Sequence, residues 1–569
     1  MHHHPNPQPI TRLEWLIALL VALATVALTL IPYTLAYLPA ADGLVFTGVV
    51  MNPEDSQTYL AKIFQGYQGQ SLYTIPFTPE PHTAAFVGVF YLWLGHLARV
   101  TGLTITAVWH LSRIFADMIL FLTTFAFICQ FFTDRWQRWT AYLLALFGSG
   151  LGWFLFLIGQ PYWLDHFPVD FKQPGAHLFF TAFTYPHIAL GTAFILMSIW
   201  ILWQLGEDQA YPEQSRRSSR GVASITHHGS RLVILAGLVN TALGIAYPFL
   251  LYIIMVIAAL YWLYLALRAR RILWQKGLLF AGTFAIPAPL YLYYAYTLQI
   301  NAVFKAWDEQ AATPSPPWPH YLVAYGPMLL LAFLHWRYKP EQRQKFAILW
   351  LWLLAVALLL YAPLNPQRRF VQGVHVALAI LSTAAFCQLL LPHIQQTKTF
   401  QRLLTRPDYT TVSLSRFVTF LFLLLMSLSN IYILGDEIRI MLDTRPYPFF
   451  RPADEIEATA WLRENGEQSA VLIGDYQTAN YIAAQTPIRV MLGHWAETVA
   501  FAEKEALVTQ FYQASTSDTW RRDLIRQYHI RYVWHGPRER LLGDFDPESA
   551  DYLQSVYSNS TITIFATQP

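Results

Sequence analysis

The sequence predicts an α-helical multispanning membrane protein that carries a small extracytoplasmic α/β domain at its C-terminal end. Three observations predict it. Of 569 residues, 55% are hydrophobic and 16% aromatic, and the mean hydropathy is +0.32, too apolar for a water-soluble globular enzyme. Apolar runs of about 17–25 residues, long enough to cross a bilayer, recur between residues 13 and 434. Beyond Asp436 the composition turns charged and mixed for about 130 residues, enough for one small domain. These bounds give a transmembrane domain, 1–434, and an extracytoplasmic α/β domain, 435–569. A formal net charge of +3 is too small to argue for a nucleic-acid partner. Both cysteines, Cys129 and Cys387, lie inside apolar runs, so neither a disulfide framework nor a thiolate metal site is expected.

The spans follow in order. The first run, 13–38, is too long for the apolar core of a secretory signal and reads as an uncleaved signal anchor, with Ala40-Ala41 disfavoured as a cleavage point. His2-His3-His4 before it carries no function. Further runs lie at 104–132, 139–159, 186–205, 231–248, 249–268, 277–297, 321–336, 346–363, 371–392 and 416–434. Tyr247-Pro248 must turn a tight hairpin between two of them, since proline ends a helix readily. One more apolar run, 83–101, contains Gly88, Gly95, His96 and Arg99 and is a poorer span. If it crosses, Arg135 and Arg138 and most later basic loops fall outside, against the positive-inside rule. If it lies in the interface, Arg135/Arg138, Arg216/Arg217/Arg220/Arg231, Arg268/Arg270/Arg271/Lys276, Arg337/Lys339/Arg343/Lys345 and Lys398/Arg402/Arg406/Arg416 all become cytoplasmic. The expected topology is therefore about eleven transmembrane helices in the cell membrane, N-terminus cytoplasmic, with two interfacial helices (54–66 and 83–101) in the first outer loop. In the C-terminal domain, helical patterns at 454–464, 479–484, 499–513 and 519–528 alternate with strand patterns at 470–474, 488–491, 530–534 and 560–565.

This topology collects a distinctive set of polar residues on the outer face. Glu54 and Asp55, in Asn52-Pro53-Glu54-Asp55-Ser56-Gln57-Thr58-Tyr59, are adjacent carboxylates just outside the first span. Two readings stand open: a general base or cation ligand, or negative charge in the first turn of a helix, where the dipole favours it. Arg368 and Arg369 sit in the outer turn 363–370, where the insertion bias disfavours them. Guanidinium forks suit phosphate oxygens, and an ion pair with an outer-loop acid or a lipid headgroup is the other reading. In the loop 160–185, Asp165, His166 and Asp170 have the chemistry of a divalent-cation site but no established spacing, so a solvated loop is favoured. His187, at the mouth of the next span, is either a substrate-facing group or a packed histidine. Trp307, before the proline run 313–319, and Trp318, within it, read first as interfacial anchors. In the C-terminal domain, Gly493-His494-Trp495-Ala496-Glu497-Thr498 follows a strand and offers His494 as a substrate-binding residue; no glycine fingerprint for a nucleotide is present.

Asp55, three residues, Tyr59, then the amphipathic Leu60-Ala61-Lys62-Ile63-Phe64-Gln65-Gly66, a proline-containing stretch and the interfacial run 83–101 resemble the first outer loop of the GT-C superfamily. Trp109-His110-Leu111-Ser112-Arg113 is similar to the start of that group's second span, and Tyr532-Val533-Trp534-His535-Gly536-Pro537-Arg538-Glu539-Arg540 resembles the tails of uncharacterised bacterial members. The resemblance implies a multispanning glycosyltransferase that uses a polyprenyl-phosphate-linked sugar. It assigns the catalytic base to Asp55, with Glu54 as neighbour or substitute, and Tyr59 to the substrate side. Two departures stand out. Many relatives carry Lys-Pro-Pro before the second interfacial helix where this chain has Glu80-Pro81-His82, and the Trp-Trp-Asp signature of oligosaccharyltransferases is missing. The expected function is thus inverting transfer of a sugar at the outer face of the bilayer to a glycan, lipid or protein acceptor. Arg368 and Arg369 would hold the donor phosphate, no cofactor is certain, and a divalent cation is possible. The alternative from another class is a non-catalytic accessory or scaffold subunit of a membrane assembly that keeps the fold. A transporter is disfavoured by the scarcity of ionisable residues in the spans.

Overall fold

The computed structural model describes residues 9–38, 43–207 and 219–568; His2-His3-His4, Ala40-Ala41 and Arg216/Arg217 lie outside the described residues. Among the described residues, six helices are long and apolar enough to cross a membrane: Arg12–Ala36, Ile105–Ile128, Pro186–Glu207, Gly229–Ala246, Pro248–Ala269 and Gln367–Gln395. Thr411–Met426 and Leu428–Thr444, bent by 57° at their junction, make a seventh if they count as one span. The other expected runs are interrupted or shorter. The run 139–159 splits into Arg135–Phe147 and Gly152–Leu157, and 277–297 into Trp274–Gly282 and Ala288–Ile300. The run 346–363 is helical only over Ala347–Leu359, and Pro319–Tyr338 carries Pro327 inside it. The hairpin at Tyr247-Pro248 is present, a 3₁₀ turn Pro248–Leu250 joining the two helices.

Contacts group the chain into two compact units. One holds residues up to Leu30, Arg113–Tyr291 and Thr313–Asp436; the other holds Ile31–Ser112, Leu292–Ala312 and Glu437–Pro569.

In the first unit, two helix breaks are stitched to each other. Gly148-Ser149-Gly150 interrupts one helix and Ser427 the other. Ser149 N–H and Oγ both donate to the Met426 carbonyl (2.6 and 3.1 Å). Asn430 Nδ2 donates to the Phe147 and Gly148 carbonyls (2.8 and 3.0 Å), and Ser429 N–H to Ser149 Oγ (3.1 Å). Backbone groups freed from a helix at membrane depth need such partners, because no water is there to supply them.

The second unit contains the α/β domain. Strands β3 (Val471–Ile473), β4 (Arg489–Val490), β5 (Ile530–His535), β6 (Leu553–Ser558) and β7 (Thr563–Thr567) form one sheet in the order β4-β3-β5-β7-β6. β3 is parallel to β4 and β5, while β7 runs antiparallel to β5 and β6. Its core is the apolar cluster around Val471, Ile473, Met491, Phe511, Val533 and Phe565. Residues 44–101 fold onto this domain. β1 (Leu44–Phe46) pairs antiparallel with β2 (Phe450–Pro452). The expected interfacial helices are Pro53–Tyr67 and Val89–Thr101. They meet at two glycines: a Cβ on Gly66 would lie 2.1 Å from the Leu92 carbonyl oxygen, and one on Gly95 2.1 Å from that of Ile63. The helix Pro53–Tyr67 packs also against Tyr476–Gln485.

Candidate functional site

The acidic pair opens the helix Pro53–Tyr67. Asn52 is its N-cap with φ 43°, in the left-handed region that asparagine tolerates, and Pro53 takes the first helical position, where a missing N–H costs nothing. Asn52 makes no side-chain cap, so the carboxylates of Glu54 and Asp55 lie in the first turn with exposed N–H groups. The dipole reading of the pair therefore holds, and both acids also meet partners from the C-terminal domain. Tyr476 Oη donates to Glu54 Oε2 (3.0 Å) and Asn480 Nδ2 to the Glu54 carbonyl (3.3 Å). Asp55 Oδ1 lies 2.9 Å from His494 Nε2, and 42% of the Asp55 side chain stays exposed against 7% for His494. Burial, with the Glu54 carboxylate beside it, pushes the Tyr476 phenol up.

Behind the pair sits a buried cluster. Lys62 Nζ donates to Glu497 Oε1 (2.9 Å) and to the Thr58 carbonyl (3.2 Å), and Tyr73 Oη donates to Glu497 Oε2 (2.6 Å). Lys62 and Glu497 side chains are 5% and 3% exposed. Burial pulls the Lys62 ammonium down, opposed by Glu497, and burial together with the Glu497 charge raises the Tyr73 phenol. A charge pair this enclosed holds its geometry tightly, because freeing either partner would strand the other in a dry environment. Tyr59, one turn after Asp55, stands 4.7 Å from the Tyr91 ring and 6.4 Å from that of Trp109.

The Glu80-Pro81-His82 segment has structural partners. Lys504 Nζ reaches Glu80 Oε2 (2.7 Å), and His82 Nε2 accepts the Ile75 N–H (2.9 Å). Nδ1 of His82, 2.8 Å from the Glu80 carbonyl, is then the donor.

The remaining candidates belong to the first unit. Arg368 and Arg369 lie in the short 3₁₀ helix Gln367–Val371, half-buried. That turn is laced to the proline run: Thr313 N–H donates to the Asn365 carbonyl (2.7 Å), Arg368 N–H to the Thr313 carbonyl (3.1 Å) and Ser315 N–H to Gln367 Oε1 (3.0 Å). The Arg369 guanidinium is 5.4 Å from the Phe249 ring centre. His187 is 3% exposed and enclosed by the rings of Tyr185 (5.6 Å) and Tyr247 (4.7 Å). Asp165, His166 and Asp170 are not brought together. Asp165 and His166 are exposed, whereas Asp170 is buried, its Oδ2 accepting from Gly152 N–H (2.9 Å) and Ser429 Oγ (3.0 Å). Asp170 thus starts the helix Gly152–Leu157. Among the described residues no three His, Cys, Asp or Glu side chains cluster to hold a metal ion, and this loop does not present a ligand set. From Val169 to Leu190 it is almost wholly buried, where a solvated stretch was expected.

No role was expected for Lys62, Tyr73 or Glu497, which lie up to 435 residues apart. The one hint in the sequence was a lysine on the apolar side of an amphipathic helix.

Neither a protein-family profile nor a curated protein matches the chain. Solved structures similar to it include ArnT from Cupriavidus metallidurans bound to undecaprenyl phosphate (TM-score 0.52, 10% identity, 98% of each chain). Another is the oligosaccharyltransferase of Archaeoglobus fulgidus tethered with an acceptor peptide (0.51, 12%, 93% of this chain and 69% of that one). A third is the arabinofuranosyltransferase AftD from Mycobacteria (0.53, 12%, 100% of this chain and 41% of that one). The likeness is one of fold: the chain has the architecture of the GT-C glycosyltransferases, multi-pass membrane proteins.

Proposed function

We propose that this protein is an inverting membrane glycosyltransferase that moves a sugar from a polyprenyl-phosphate donor to an acceptor hydroxyl on the extracytoplasmic side. The observation that carries the proposal is Asp55, a partly exposed carboxylate at the first turn of an interfacial helix in this fold, held by His494. The bound undecaprenyl phosphate of the similar ArnT structure supports the class of donor. The acceptor oxygen attacks the anomeric carbon, its proton passes to the Asp55 carboxylate, and the bond from that carbon to the phosphate oxygen breaks with the electron pair leaving on the polyprenyl phosphate. Attack opposite the leaving group inverts the configuration. Arg368 and Arg369 bind the phosphate and hold the charge that develops on it. Glu54, whose carboxylate accepts the Tyr476 hydroxyl and whose main-chain carbonyl accepts the Asn480 amide, braces the helix start rather than sharing the proton. His187 and Tyr59 border the substrate. No step is routed through a divalent cation.

We place the chain across the membrane about eleven times, N-terminus cytoplasmic and C-terminal domain outside, the interrupted stretches 139–159, 277–297 and 416–434 crossing as broken helices.

The test uses purified protein with a panel of undecaprenyl-phosphate-linked hexoses and pentoses, read as release of free undecaprenyl phosphate with water or added hydroxyl compounds as acceptor. Wild type should release it from at least one donor, and Asp55→Asn should lower the rate by about 10³-fold or more, the scale on which loss of a general base is felt. Full turnover by Asp55→Asn removes the base. Absence of turnover across the panel, with no polyprenyl-phosphate sugar among copurifying lipids by mass spectrometry, favours the accessory-subunit reading.

A further inference from the structure

The segment Gly493–Thr498 touches the helix Pro53–Tyr67 at two points. It is a tight turn, with Glu497 N–H and Thr498 N–H both donating to the His494 carbonyl (2.9 and 2.8 Å). Thr498 Oγ1 accepts the Gly493 N–H (3.0 Å) and donates to the Phe77 carbonyl (2.7 Å), so the turn is fixed at both ends. From it His494 reaches Asp55 and Glu497 reaches Lys62. Asp55 and Lys62 are seven residues apart, two helical turns, and therefore share one face. The buried Glu497–Lys62 pair sets the register of the turn against the helix, and His494 is delivered to Asp55 by that register.

The protonation of the His494 ring follows from its neighbours. Ala496 N–H points to Nδ1 (3.3 Å), which must accept and therefore carries a lone pair. In the neutral ring the proton then sits on Nε2, the nitrogen 2.9 Å from Asp55 Oδ1. A ring arranged this way gives a hydrogen bond to the carboxylate and has no lone pair on the Asp55 side with which to take a proton.

We propose that His494 is a positioning residue for the base: its Nε2–H fixes one oxygen of the Asp55 carboxylate, so that the C-terminal domain, rather than acting only as a cover or an acceptor platform, completes the catalytic apparatus. This rests on Asp55 being the base. His494 neither contacts the sugar nor relays the acceptor's proton; the proton stays on Asp55.

A glutamine places an amide N–H near the position of Nε2 and can donate but not shuttle a proton; alanine can do neither. With whichever undecaprenyl-phosphate sugar the wild type consumes, His494→Ala should lower kcat by about 10- to 100-fold, the scale of a hydrogen bond to a charged group, and leave the donor KM unchanged. His494→Gln should recover most of that loss. Equal loss in His494→Gln and His494→Ala overturns the donor role, as does a His494→Ala effect confined to KM or no effect at all. An inactive Asp55→Asn beside a fully active His494→Ala refutes this inference alone, whereas an active Asp55→Asn refutes the proposed base. Spectra of ¹⁵N-histidine-labelled protein, assigned with His494→Gln, give a readout that needs no turnover. They should show His494 protonated on Nε2 and not on Nδ1, with the Nε2 signal moving in Asp55→Asn; a proton on Nδ1 overturns the proposal.

Discussion

Glu54 and Asp55 are neighbours in one helical turn, yet the carboxylate of the first accepts the Tyr476 hydroxyl while the second keeps 42% of its side chain exposed beside an imidazole. The proposed function gives the acceptor's proton to the second. For the two arginines the same logic gives a prediction: replacing Arg368 and Arg369 together by alanine removes the bidentate donors proposed for the donor phosphate. Affinity for undecaprenyl phosphate, followed by native mass spectrometry in detergent, should fall by about 10-fold or more, the worth of one or two charge-assisted hydrogen bonds. Unchanged affinity assigns the phosphate to other groups. At this scale the sequence is a partial guide. The resemblance of Asp55-x-x-x-Tyr59 to the GT-C loop singled out Asp55 over Glu54, a local spacing that puts Asp55 and Tyr59 on one helical face. His494 was visible only as a polar residue after a strand, and its partner lies 439 positions away, beyond any local pattern. Asp170 misled for the opposite reason: its polar neighbours suggested water, but its carboxylate is buried and starts the helix Gly152–Leu157.

Between elements, the contact of Pro53–Tyr67 with Val89–Thr101 depends on Gly66 and Gly95. A Cβ at either would meet a main-chain oxygen at 2.1 Å, and no rotamer can move a backbone carbonyl aside. Gly95→Ala should therefore part the helices and destabilise the protein by at least about 1–3 kcal/mol, as overpacking does, seen as a lowered Tm in detergent. A Tm equal to wild type would mean that the two helices do not rely on close approach. The sequence drew the first helix to within a residue at each end, since amphipathic pattern and flanking proline are local properties, but began the second at residue 83, where Ala85 instead bridges Tyr73 and the helix starts only at Val89. It counted Gly95 only as a weakness in a span, when the residue is there for a neighbour's backbone. Interrupted spans were missed for a related reason: hydropathy measures apolarity along the chain, whereas a break such as Gly148-Ser149-Gly150 is licensed by partners on Met426, Ser429 and Asn430.

At the scale of the whole chain, the distribution of arginine and lysine sets the proposed orientation, and labelling can check it. With Cys129 and Cys387 replaced by serine, a membrane-impermeant maleimide should label Ser555→Cys on intact cells and Arg135→Cys only after permeabilisation, both positions being exposed. The reverse pattern would invert the topology. The composition shift near Asp436 told of a second body, but not that residues 44–46 lend it a strand partner, because strand pairing over such distances leaves no trace in either segment alone. That pairing has a consequence for biogenesis. Residues 44–46 and the Asp55 helix emerge early in synthesis, while Phe450–Pro452 and His494 come some 400 residues later, so closing this contact entails a large loop entropy and a long wait. At elongation rates of about 5–20 residues per second, residues 44–67 spend on the order of half a minute without their partner. Under the proposed function, a nascent chain gains full reactivity only once its last domain has folded and brought His494 to Asp55, which ties full activity to completion of the polypeptide.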